Sequence, residues 1–78
     1  PLPSSWSQDQ KDVFTLPAGL IQSLIRIKNK GVNLTPAQIN ASLPPALAPK
    51  AIKANSMSVA ELETILKAQK DLPNTPPV

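Results

Sequence analysis

Ten of the 78 residues are proline, and their placement limits where this chain can be helical. A proline inside a helix removes one hydrogen bond and collides with the preceding turn, so a helix tolerates it only in its first turn. Pro17, Pro36, Pro44, Pro45, Pro49 and Pro73 therefore divide the chain into short windows. A helix is expected only where apolar periodicity and capping residues agree with one of them.

Three windows meet that test. In the stretch TLPAGLIQSLIRIKNKG, Pro17 suits the first helical position, and Leu20, Ile21, Leu24, Ile25 and Ile27 recur at helical spacing. Arg26, Lys28 and Lys30 complement the dipole of the last turn, and Gly31 can adopt the left-handed stop. The spacing predicts a helix over 17–30. A second, shorter helix follows within 17–43. Thr35 and Gln38 form a capping box, and Leu34 and Ile39 a hydrophobic staple, before Pro44 and Pro45 end it. The third occupies 58–72, where Ser58 and Glu61 repeat the box and Met57 and Leu62 the staple. Val59, Leu62, Ile65, Leu66 and Gln69 share one face of it.

The remainder reads as extended. Residues 1–16 lack periodicity and form an expected arm carrying both aromatics, Trp6 and Phe14. Trp6 is either a solvated terminal residue or an anchor that fills a partner's pocket. Residues 44–57 alternate prolines, lysines and small apolar residues, the pattern of a semi-rigid linker or a docking strip contacting through Leu47 and Ile52. Residues 73–78 are a tail. The expected fold is mostly α with extended Pro-rich segments: two or three short amphipathic helices. Large apolar side chains make up under a third of the chain, so little independent core and partner-dependent folding are expected.

Several functions lack their chemistry. There is no His, Cys or Tyr, which removes the usual bases, nucleophiles and metal ligands. Glu61 and Glu63 point to different helix faces, as a cap and a solvated residue rather than a catalytic pair. With two glycines, no phosphate-cradling loop exists. No enzyme activity, cofactor or metal is expected. The absence of cysteine suits a reducing compartment such as the cytoplasm. No apolar run is long enough to span a bilayer, and the proline at position 1 suggests a fragment or processed product.

Charge is distributed unevenly. Between Val13 and Ala60 there is no acid, only Arg26, Lys28, Lys30, Lys50 and Lys53, so this section would attract a negative surface. Nucleic acid is weakly supported, with neither an arginine-rich run nor an aromatic platform. Residues 17–30 could rest on a membrane surface, although their charge sits at one end rather than along a face.

The segments PAGLIQSLI, KGVNLTPAQI, LPPALAPKAI and SMSVAELE, in that order, resemble the C-terminal region of the cap-binding-protein transporters. These are largely disordered repressors of mRNA translation and decay in cytoplasmic processing bodies. The resemblance covers 17–63, with Ser58, Val59, Ala60, Glu61, Leu62 and Glu63 at the family's closing segment. It implies docking onto an Sm-like domain protein. The chain departs from the family in running 15 residues past Glu63 and in lacking the tyrosine-containing motif.

The expected function is a non-enzymatic protein-interaction segment that docks short helices onto a globular partner, with Trp6, Leu20, Ile21, Leu24, Val59, Leu62 and Leu66 as contacts. The alternative is a structural or minor component of a large assembly, such as a virion interior peptide, threading across neighbouring subunits. A small independent helical domain is a third reading.

Overall fold

In the computed structural model, which describes residues 2–71, five helices follow one another, and among the described residues there is no strand. They are α1 (Gln8–Phe14), α2 (Ala18–Asn29), α3 (Pro36–Ser42), α4 (Ala48–Asn55) and α5 (Val59–Asp71). The expected tail lies outside these residues.

Three helices stand where capping chemistry placed them, within about one residue. Pro17 caps α2 rather than opening it, and Ala18 is the first helical residue. The helix closes with the Gly31 amide bonded to the Lys28 carbonyl and the Val32 amide to the Ile27 carbonyl. Gly31 has φ 80°, the left-handed conformation of this paired stop. The Thr35–Gln38 box is complete in both directions. At α5, the Glu61 amide donates to Ser58 Oγ. The return bond, from the Ser58 amide to the Glu61 carboxylate, is absent among the described residues.

Two extended segments are corrected to helix. The arm 1–16 contains α1, started by a Ser7–Gln10 capping box with bonds of 2.7 and 3.1 Å. Seven residues do not hold a helix alone. This one persists because Val13 is fully buried and Lys53 of α4 reaches Asp12 at 2.6 Å and Asp9 at 3.4 Å. Its end is held from α5, where Gln69 Nε2 donates to the Phe14 and Leu16 carbonyls. The linker 44–57 contains α4. Pro49 falls in its first turn, where no N–H is needed, and so opens the helix instead of breaking it.

The expectation of little core is corrected as well. Val13, Leu16, Ile21, Leu24, Ala54, Met57, Leu62 and Ile65 form one buried cluster, with Trp6, Phe14, Leu47 and Leu66 packed against its edge. Few large side chains suffice because Ala48, Ala51 and Ala54 are at most 2% exposed and let helices approach α4 closely. The first and last helices both contribute, and α1 packs on α4 and α5. The radius of gyration of 12.1 Å is near the ~11.5 Å of a compact chain this long.

Candidate functional site

The α2 stripe is wider than one interface requires, and the structure divides it. Ile21 and Leu24 are buried in the cluster, and α5 packs along that side. Leu20, Ser23 and Ile27 turn the other way, toward α3. That short helix rests mainly on α4 instead of closing onto α2. The gap between them is a groove of about 250 Å³, lined from α2 by Leu20, Ser23, Leu24 and Ile27. Leu34, Gln38, Ile39, Ser42 and Leu43 line it from the α3 side.

The groove's position is set by hydrogen bonds beneath it. Asn55 Nδ2, at the end of α4, donates to the Leu34 carbonyl at 2.9 Å. Lys28 Nζ, on the core side of α2, donates to the Asn55 carbonyl at 2.9 Å. One asparagine thus joins α2, the loop before α3, and α4. Leu24 and Ile39 are each 4% exposed and form the floor. Val32, whose amide donates to the Ile27 carbonyl just past the end of α2, is 48% exposed, a large apolar residue left in solvent.

No ionisable group lines this surface. Charges gather instead where α1 meets α4. The hydrogen bond from Lys53, followed by that from Gln8, holds the Asp12 carboxyl below its ordinary pKa, and the same bond to Asp12 raises that of Lys53. Lys50 Nζ donates to Thr15 Oγ1 nearby. This cluster joins two helices through Lys53, Asp9 and Asp12. Among the described residues, no group of three acidic, His or Cys side chains is placed to hold a metal. No helix among them is long and apolar enough to cross a membrane.

The expected contact residues separate accordingly. Ile21, Leu24 and Leu62 are core residues at 0–4% exposure, so in this fold they hold helices together and are not offered to a partner as free side chains. Leu24 still reaches the groove floor. Trp6 does not protrude: it is half-buried, with its ring edge-on to Phe14 at 6.0 Å. Leu66 is half-buried against the core, and Val59 half-buried at the start of α5. Of the seven, only Leu20 and Leu24 come together at the groove. Its other apolar walls were legible as something else: Leu34 and Ile39 as a staple, Ile27 as part of a stripe. Comparison of the chain with protein-family models, with curated proteins and with solved structures finds no match in any of the three.

Proposed function

We propose that this chain is a non-enzymatic protein-interaction domain whose α2–α3 groove receives an apolar segment of a partner protein. The observation carrying this is an open groove, apolar on both walls, between α2 and α3. Its size supports a peptide over a small molecule. Cavities that enclose a ligand run about 300–1,000 Å³, whereas a dry ~150 Å³ site holds one benzene. A groove of about 250 Å³ suits one or two large side chains of a protein segment. A chain threading extended across the subunits of an assembly is the weaker alternative, since it has no use for a built groove.

Coupling of folding to docking belongs, on this proposal, to α3. It has seven residues and one buried side chain, and its α2-facing side meets the groove. Hydrogen exchange should find α3 amides less protected than those of α2 and α5, and a bound partner should slow them. Uniform protection in the free chain would remove the coupling.

Docking itself is tested by a photoreactive residue replacing Ser42 in the groove or, as a control, exposed Ala60 on α5. The first partner to offer is an Sm-like domain, on the resemblance over 17–63, followed by extract from the source organism. Crosslinking from position 42 alone, suppressed when Ser23→Phe plugs the groove, is the expected result. Equal crosslinking from both positions, or crosslinking that survives the plug, would refute groove docking.

A further inference from the structure

We infer that the segment seated in this groove is a short amphipathic helix with an acidic flank. The inference rests on the docking proposal above and specifies its occupant.

The argument begins with the acid-free section between Val13 and Ala60, which holds five cations. Three are committed within the fold. Lys28 bonds the Asn55 carbonyl, Lys50 the Thr15 hydroxyl, and Lys53 the Asp12 carboxylate. The other two, Arg26 and Lys30, are exposed, and their side chains make no hydrogen bond or ion pair among the described residues. Their places on α2 are specific. Ser23, Arg26 and Lys30 follow one another at spacings of three and four, so they stand in one row along the helix. Ser23 lines the groove, which makes this row its outer edge. The opposite wall offers only the neutral polar groups of Gln38 and Ser42. The groove lining is therefore apolar apart from neutral polar groups, it holds no acid, and two cations stand in the row beside its α2 edge.

Length selects the form of the occupant. From Leu20 to Ile27 is seven residues, about 10 Å along the axis, or two helical turns. A helix laid there presents anchors at i, i+3 or i+4, and i+7, which match two to three apolar contacts over that span. Carboxylates one position beside those anchors would then face Arg26 and Lys30. Partial exposure on both sides sets the size of the gain at about three- to tenfold in affinity, sensitive to salt.

The test is a selection from a displayed library of 14-residue helical peptides, leucine fixed at the three anchor positions and the rest random, against the full chain. Enrichment of Asp and Glu on one flank is expected. Binding of an enriched peptide should weaken about tenfold in Arg26→Glu/Lys30→Glu, and recover when its flanking acids are changed to lysine. Both cations also complement the α2 dipole, so Arg26→Gln/Lys30→Gln serves should the reversal disturb folding. Groove-bound peptides without acidic enrichment, still blocked by Ser23→Phe, would overturn the acidic occupant and leave groove docking standing. Absence of any plug-sensitive peptide would overturn both. Vesicles of phosphatidylcholine and phosphatidylserine form a separate arm. Binding to them that is lost in the Gln variant, without peptide enrichment, would replace the peptide with a lipid surface.

Discussion

Leu62 has no accessible surface and lies in the cluster that joins α1, α2 and α5, whereas Leu20 is half-buried between the core and the groove. Truncating the first leaves a cavity that a close-packed interior fills only in part, so Leu62→Ala should cost about 2–5 kcal/mol. Leu20→Ala should cost about 1 kcal/mol, since much of that side chain already meets water. Urea midpoints measure both, and equal losses would show that the division of the α2 stripe is wrong. Asp12 gives a second prediction at this scale. Its carboxyl is held below the ordinary value of about 3.9 chiefly by the Lys53 hydrogen bond. A depressed folded-state pKa contributes stability that is complete above the ordinary value and is lost as pH falls through the depressed one. Lys53 behaves in the opposite sense: its pKa is raised, so its share is complete below about 10.4 and lost at still higher pH. Asp12→Asn should therefore lower the urea midpoint at pH 7 and flatten its decline below pH 4. An acid limb of unchanged steepness would mean that the α1–α4 ion cluster contributes nothing to stability.

Among the helices, two glycines allow one substitution to be predicted with opposite signs. Gly19 lies in the first turn of α2, and nothing stands within 4 Å of an added Cβ. Gly19→Ala should thus stabilise by about 0.5–1 kcal/mol through the unfolded state. Gly31 has equally open surroundings but φ +80°, which an L side chain adopts at a cost, so Gly31→Ala should destabilise by about 1 kcal/mol. Thermal melts of the two variants should shift in opposite directions, and a shared direction would contradict the helix stop assigned at 30–32. That stop was legible in the sequence, as were the Thr35 box and the Ser58 cap, because each depends on residues within five positions of one another. The start of α1 carried a similar signal in Ser7 and Gln10, but no apolar stripe followed it. What keeps α1 helical comes from Lys53 and Gln69, far along the chain, and no local pattern contains that. The α4 stripe of Ala48, Ala51 and Ala54 was hidden for another reason. Alanine adds little to an apolar periodicity, and its value appears only when another helix approaches closely enough to need a small residue. The groove was the least legible feature, since it arises from α3 failing to close on α2, and each of its walls also serves a local role.

The described fold is closed by its first and last helices. Val13 and Leu16 from the first segment meet Leu62 and Ile65 from the last within one cluster, and Gln69 bonds carbonyls 53 and 55 residues earlier. The first 16 residues are therefore part of the core. Their deletion removes two side chains at most 2% exposed, each about 1.5–3 kcal/mol of burial. It also uncovers the side of α4 that packs on α1 and leaves Lys53 without either carboxylate partner. A domain this small has stability near the low end of the 5–15 kcal/mol range, so losses of this size exhaust it. The full chain should melt in one cooperative transition by circular dichroism, and the chain lacking residues 1–16 should show a broad, weakly helical profile with none. An extended arm would predict the opposite, with deletion leaving the midpoint in place. A shift below about 5 °C, close to 1 kcal/mol for a domain of this length, would return α1 to the periphery. Loss of the transition would instead make α1 the element on which the groove's geometry depends, because α1 packs on α4, and α4 supports both α3 and the Asn55 bridge to α2.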